Sequence, residues 1–470
     1  MFPSPDNYEI YPSIVEANKP SEMTIVPTER SFLLFDGEYS VTIISTDADE
    51  ISYFHPQTYR NISAIAKDGY LRFTFTFEEE QEHIVILKRG DSIVREFRVF
   101  SLLPDLYGKL ALKGDLHAHS YRSDGRQDPA ALAGHFREQG YDFFALTDHN
   151  RHYPGYEIDE TYKGVDLDFT KIFGEEVHCP GSMVHIVHVG GNKSVTDRYV
   201  NHKEEYDLEI AEYLKNVPDS IPEIYRERYG MAMWATDKIH EAGGLAIFPH
   251  PFWIPGNSRI RNVKYELANI LLKSLAFDAY EIVGAMDQPN CNRSVALWND
   301  LRAEGYKINV VGSSDVHALE KSFSFPHKFT ICFAEDNAEE PICNAIKNGL
   351  SVAIEATGTE YDRHFRAYGS YRLVNYAQFL LSNYFPKLQR IAEGQGVAMR
   401  NYAMGKVPAA LVELHADMVR KFRLSFFGKK APMLPSMEII DFENKARERH
   451  LQSPTTKGSL IDPTVLNRQI

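Results

Sequence analysis

The sequence predicts an α/β barrel with a small β-sandwich-like module before it and a helical extension after it. Three observations carry that expectation. Short apolar runs alternate with helical stretches from Leu110 to Ala356. Between residues 31 and 100, short β-branched and aromatic runs are separated by turn signals. After about residue 360, apolar residues recur at i, i+3 and i+4. The expected divisions are 1–108 for the β module, 109–356 for the barrel and 357–470 for the helical extension and tail.

In the first part, Ser31–Phe35, Ser40–Ile44, Leu71–Phe77, His83–Leu87 and Ile93–Phe100 read as strands. Asp36-Gly37, Asp68-Gly69 and Gly90-Asp91 are turn signals between them. Strand candidates in the barrel are Ala111–His117, Phe143–Thr147, Ile172–Glu176, Val184–Val189, Leu245–Phe248, Ala279–Val283, Ile308–Gly312 and Thr330–Phe333. Pro129–Gly140 and Trp234–Gly243 read as helices, the second ending on a glycine suited to a helix C-terminus. Alternating β and α units fit a barrel, with an open doubly wound sheet as the runner-up. In the extension, Leu373, Tyr376, Ala377, Leu380 and Tyr384 form one helical face, and Leu411, Leu414, His415, Met418 and Phe422 another. The last thirty residues, with Pro454 and Pro463, are polar and read as a loosely packed tail.

Composition excludes several classes. The 470 residues carry 51 Lys and Arg against 65 Asp and Glu, a net charge of −14. Such a balance argues against bulk nucleic-acid binding, which needs a basic face. No run of 18 apolar residues exists to span a membrane, and the first twenty residues lack the apolar core of a secretory signal. The four cysteines show no metal-binding spacing, so a reducing cytoplasm is the expected compartment.

Chemistry concentrates at the ends of the predicted strands. The first ends in Gly114-Asp-Leu-His-Ala-His119, and Ser123-Asp124-Gly125 follows in a turn. Thr147-Asp148-His149 closes the second, Gly174-Glu175-Glu176 the third and Phe248-Pro249-His250-Pro251 the fifth. His185 and His188 lie in the fourth, and Ser313-Ser314-Asp315-Val316-His317 closes the seventh. Imidazoles two residues apart on a strand share a face and can grip one ion. Any one of these motifs has a bland reading as a packed histidine or turn aspartate. Their joint placement at the carboxyl ends of strands, where parallel barrels keep their chemistry, does not.

The series HxH, SDG, TDH, GxE, HIVxxG, HP and SDxH resembles the PHP (polymerase and histidinol phosphatase) superfamily over residues 110–355. Its finer pattern is similar to the carbaryl-hydrolase-like (CehA/McbA) branch, which has a β module before the metal domain. The resemblance implies a distorted (β/α)7-type barrel holding up to three divalent metals. His117, His119, Glu176 and Asp315 would hold the first. Glu176 as a bridge, with His185 and His250, would hold the second, and Asp124, His149 and His317 the third. Nitrogen and oxygen donors without thiolate suit Mn, Zn or Fe. Glu176, His149 and His317 are the residues expected to carry catalysis.

Glu176 is preferred to Glu175 because the motif counts from Gly174, and Glu175 faces the other way on a strand. The resemblance implies His185 over His188, because the family histidine lies five residues before the glycine, here Gly190, and His188, three residues on, faces the opposite side of the strand. His178, two residues from Glu176, is a candidate substrate contact. Asp115 and Asp148 are expected to orient imidazoles. Arg122, Arg126 and Arg151 flank the motifs, and none is singled out as a phosphate clamp.

The implied chemistry is hydrolysis through a metal-bridging hydroxide, with a small phosphorylated metabolite or nucleotide as substrate. A carboxyl-ester, carbamate or amide hydrolase of the CehA/McbA type is the alternative, and a non-catalytic binding module the third. No polymerase region accompanies the motifs, so a polymerase partner is not expected. Neither is a membrane partner, while assembly into a homo-oligomer stays open.

Overall fold

The computed structural model describes residues 7–47, 59–256, 258–359 and 362–452, in two compact units. The first unit comprises residues up to Gly108 and those from Arg420 onward; the second is Lys109–Val419.

Eight strands build the first unit: β1 (Tyr8–Tyr11), β2 (Ile14–Glu16), β3 (Pro20–Pro27), β4 (Gly37–Ser45), β5 (Tyr59–Lys67), β6 (Tyr70–Thr76), β7 (Glu82–Arg89) and β8 (Ser92–Leu102). They form one sheet in the order β1-β3-β6-β5-β4-β7-β8-β2, antiparallel except for the β2–β8 pair. Alternation sets the buried face, as in β7, where His83, Val85 and Leu87 point inward and join Tyr39, Val41 and Phe73. The expected strand at Ser31–Phe35 is instead a single 3-10 turn at Arg30–Phe32 followed by an anchor. Leu33 and Leu34 are buried, and the Leu34 amide donates to the Gly69 carbonyl, so the apolar run plugs the sheet without joining it. The short helix α1 (Pro104–Tyr107) ends the N-terminal part.

In the second unit the strands are β9 (Leu110–Asp115), β10 (Phe143–Leu146), β11 (Thr170–His178), β12 (His185–Val189), β13 (Leu245–Phe248), β14 (Ala279–Val283), β15 (Val310–Gly312), β16 (Lys328–Ala334), β17 (Ser351–Thr359) and β18 (Asp362–Tyr368). The helices between them are α2 (Pro129–Glu138), α3 (Pro154–Thr161), α4 (Asp197–Asn201), α5 (Lys203–Lys215), α6 (Arg226–Glu241), α7 (Tyr265–Lys273), α8 (Gln288–Ala303) and α9 (Glu339–Lys347). The sheet is barrel-like. Its order is β15-β14-β13-β12-β11-β10-β9-β16-β17-β18, and a parallel bridge between Ala118 and Val316 links the segments just beyond β9 and β15.

Not every strand is parallel. β12 runs antiparallel to both β11 and β13. The six residues between β11 and β12 allow a hairpin, whereas a parallel return needs a dozen or more. Trp234, Phe248, Leu267, Leu271 and Tyr280 fill the core between this sheet and its helices.

The second unit runs past the expected boundary at 356. Residues 362–368 form β18, paired with β17, where a helix was expected. Helices α10 (Tyr371–Asn383) and α11 (Phe385–Ala403) follow. α11 packs closely on α2, where a Cβ on Gly134 would lie 3.0 Å from the Gly396 carbonyl oxygen. Leu373, Tyr376, Ala377, Leu380 and Tyr384 are buried as expected. In α12 (Ala409–Phe426) the buried face is Val412, Ala416 and Val419, while Leu414 and Met418 are exposed. The tail is in part a helix, α13 (Met437–Gln452), with Ile440 buried. Pro454 and Pro463 lie outside the described residues.

Candidate metal centre

Side chains converge at the carboxyl ends of β9, β10, β11, β13 and β15. The Ala118–Val316 bridge keeps the chain extended beyond β9, so His117 and His119 turn the same way, fully buried, with ring centres 5.1 Å apart. A second bridge, His149 to Glu176, brings the β10 end against β11. Gly174 must lack a side chain, because a Cβ there would sit 2.6 Å from the His188 carbonyl oxygen. The β11–β12 register sets His178 opposite His185 and Glu175 opposite His188. Glu176, His178 and His185 therefore share one face, and Glu175 and His188 the other. His250 and Asp315 enter with φ of +23° and +49°, a backbone region that non-glycine residues adopt where the surroundings enforce it.

All nine expected ligands come together in three of four adjoining groups, the fourth joining His178 to His149 and Glu176. His117, His119, Glu176 and Asp315 form the first, and Glu176, His185 and His250 the second. Asp124, His149 and His317 form the third, which His119 also reaches. Glu176 is the hub. Its Oε2 lies 3.3 Å from His117 Nε2, 3.5 Å from His119 Nε2 and 2.8 Å from His149 Nδ1. Its Oε1 lies 2.8 Å from His185 Nδ1, 3.3 Å from His250 Nε2 and 3.4 Å from His178 Nε2. Asp315 Oδ1 lies 3.3 Å from His117 Nε2 and 2.9 Å from His119 Nε2. Asp124 Oδ1 faces His149 Nε2 at 3.4 Å and His317 Nε2 at 3.3 Å.

These residues fit a metal. His117 Nε2, His119 Nε2, Glu176 Oε2 and Asp315 Oδ1 are buried without a hydrogen-bond partner, which is costly for polar atoms. A tetrahedral ion with bonds of roughly 2.0–2.2 Å needs donor separations of roughly 3.3–3.6 Å. The four cross-distances in this group run from 2.9 to 3.5 Å.

Electrostatics point the same way. Burial works to raise Glu176, but His117 and His185 outweigh it and hold the carboxyl well below its usual range. Burial lowers His119 to about 3 and His185 to about 4, leaving neutral imidazoles with a lone pair to donate. Burial also opposes charge on His149, yet the attraction of the nearby Asp124 and Glu176 carboxylates prevails and raises it to about 10. Ionised carboxylates here draw in positive charge.

Supporting groups differ in part from expectation. Asp115 accepts from the amides of His117 and Ser314, and Asp148 from Ser120 and Ser123; both brace loops instead of imidazoles. The carboxylate that does hold an imidazole is Glu281 of β14, fully buried, which accepts from His117 Nδ1 at 3.2 Å. Sequence reasoning missed it, although a glutamate inside the apolar run Ala279–Val283 was the available signal. Arg122 and Arg126 are engaged by Glu157 and Glu320. His152 is buried against Phe173, and His240 pairs with Asp278.

No family model matches the sequence, and no curated protein matches it. Among solved structures, the chain is similar to a two-domain protein from Bacteroides vulgatus containing a predicted PHP-like metal-dependent phosphoesterase. That likeness has 19% identity, a TM-score of 0.37, and covers 54% of this chain and 67% of the other. A protein from Bifidobacterium adolescentis assigned as a metal-dependent phosphoesterase shows 15% identity, TM-score 0.32, and 43% and 87% coverage. An amidohydrolase from Chromobacterium violaceum, solved with sulfate and no metal, shows 19% identity, TM-score 0.31, and 45% and 89% coverage. The chemistry proposed for this chain rests on its own side chains. Among the described residues, no helix is long and apolar enough to cross a membrane.

Proposed function

We propose that this chain is a metal-dependent phosphoesterase of the PHP type, acting on a small phosphorylated metabolite or nucleotide. One observation carries the reading: the nine expected nitrogen and oxygen ligand residues, drawn from seven motifs, meet in adjoining groups with Glu176 as the hub. Up to three divalent ions, Mn, Zn or Fe, would be held there, supplying an activated water and positive charge for phosphoryl oxygens. Glu281 fixes the His117 ring so that its Nε2 faces inward. His178 stacks on His185 with centres 3.7 Å apart at the edge of the cluster, where it can meet substrate. His149 and His317 face Asp124 from two sides and set the position of the third group.

The barrel-like sheet fits this reading as a distorted (β/α)7-type barrel of β9–β15 with β12 reversed. A cytoplasmic location belongs to the same proposal, since all four cysteines are free. A carboxyl-ester, carbamate or amide hydrolase of the CehA/McbA type is the second reading. It is favoured by the engagement of Arg122 and Arg126 with carboxylates, which leaves neither guanidinium committed to a phosphate. The test is metal-reconstituted protein assayed on phosphomonoesters, phosphodiesters and carboxyl esters side by side. Turnover confined to carboxyl esters refutes the phosphoesterase reading.

A further inference from the structure

A cavity of 960 Å³ lies beside α8, lined by none of the nine metal-centre donors. Arg293, Ala296, Leu297 and Asp300 form one face of α8 along it, at i, i+3, i+4 and i+7. Residues 252, 255 and 258–265 give the opposite wall, and Arg228 of α6 closes one side. Five cations line it, Arg228, Arg259, Arg261, Lys264 and Arg293, against one acid, Asp300. The whole chain has 65 acids to 51 bases, so this lining inverts the balance of the molecule.

The cations are arranged, not merely exposed. Asn290 is buried, and its Oδ1 accepts from Arg261 Nε and from Arg293, each at 3.0 Å. One carbonyl oxygen thus holds two guanidiniums side by side, a repulsive placement that a bridging anion relieves. The Asn290 backbone N–H donates a hydrogen bond to the Asp287 carboxylate at 2.9 Å, which fixes the residue at the start of α8. The side chains of Arg228 and Arg259 make no hydrogen bond or ion pair among the described residues. Phe252, Ile260 and Leu297 add an apolar wall. We propose that this cavity binds an organic polyphosphate, a ligand with two or more phosphate groups on an apolar or aromatic body. Planar guanidiniums match phosphate oxygens in pairs, and pockets of roughly 300–1,000 Å³ hold ligands of that size.

The binding site does not depend on the hydrolytic reading. The test uses the full-length protein with its metals and pyranine, a fluorescent aromatic trisulfonate that offers no ester to cleave. Fluorescence anisotropy should show saturable binding that ATP displaces. The Arg261→Gln/Arg293→Gln double variant should bind at least about tenfold more weakly, since two charge-assisted contacts are lost. Glu176→Gln should bind pyranine like wild type. Absence of saturable binding overturns the proposal, as does unchanged affinity in the double variant. Loss in Glu176→Gln with the double variant intact also overturns it, because the probe would then sit on the metal cluster. If the double variant melts early, Arg228→Gln and Arg259→Gln replace it. Neither side chain has a partner to lose, and weaker binding in both supports the cavity while wild-type binding in both overturns it. A protein that hydrolyses neither ester class yet binds pyranine in this way would keep this proposal and lose the phosphoesterase one.

Discussion

Glu175 and Glu176 are adjacent, both buried, and assigned to opposite tasks, which makes them the sharpest pair to separate. Glu175 Oε2 accepts from Ser194 Oγ at 2.8 Å and Thr196 Oγ1 at 2.5 Å. Its Oε1 accepts from the amides of Val195 and Thr196, and His188 Nδ1 lies 3.3 Å away. In Glu175→Gln the new amide nitrogen would take the Oε2 place, because the two hydroxyls can turn to accept from it and the backbone amides cannot. Geometry survives while charge is lost. Hydrogen bonds to a charged group contribute about 1.5–3 kcal/mol and neutral ones about 0.5–1.5, so each bond loses about 1 kcal/mol. Over the two amide bonds and the hydroxyl pair the cost is ~2–4 kcal/mol. At about 2 °C per kcal/mol for a large unit, the melting temperature should fall by ~4–8 °C. Bound metal should stay at the wild-type level. Glu176→Gln should do the opposite: it removes the hub of two donor groups, so metal content should fall by about two equivalents and hydrolysis by several orders of magnitude. Elemental analysis, calorimetry and a hydrolysis assay on both variants make the comparison. Metal lost from Glu175→Gln and kept by Glu176→Gln would refute the assignment of faces.

Other outcomes follow from the same geometry. Glu281→Gln should weaken metal affinity by about 10–100-fold in a chelator-competition titration, since it orients a ligating ring without touching the ion; unchanged affinity would refute that role. Metal binding should strengthen as pH rises from neutrality toward 10. His149 is raised to about 10 by the Asp124 and Glu176 carboxylates, so at pH 7 it holds a proton that an entering ion must displace, and His117, His250 and His317 are shifted in the same direction. Titration calorimetry in two buffers of different ionisation enthalpy counts those protons, and zero release at pH 7 contradicts the prediction. His149→Ala should remove about one metal equivalent and damage phosphoester turnover far more than carboxyl-ester turnover. Equal losses would favour the carbonyl chemistry.

The ligand motifs were legible in the sequence because strand geometry is local. Strand alternation put Glu175 and Glu176, and likewise His185 and His188, on opposite faces whatever the strand pairs with, and the motif spacing from Gly174 and to Gly190 singled out Glu176 and His185. Helix α2 falls within the expected Pro129–Gly140, whereas the expected Trp234–Gly243 covers only the second half of α6, which begins at Arg226. Pairing is not local. The reversal of β12, the β18 strand and the convergence of five strand ends depend on which segments hydrogen-bond across the sheet, and one strand's pattern does not encode that. β1–β3 lie before residue 31, where no strand was expected; Pro20 and Pro27 stand at the two ends of β3, a position at which a strand tolerates proline. In α12, the apolar spacing of Leu411, Leu414 and Met418 was real, but packing buried the smaller Val412, Ala416 and Val419 instead. Glu281 shows the same limit within the centre itself. Its sequence neighbours are all apolar, and only the fold brings His117, 164 residues away, to its carboxylate. The sequence by itself determined which atoms can hold a metal, because that is a property of side-chain chemistry and period. The tertiary structure alone decided which carboxylate aims those atoms and which arginines gather around Asn290, because both are contacts between segments distant in the chain.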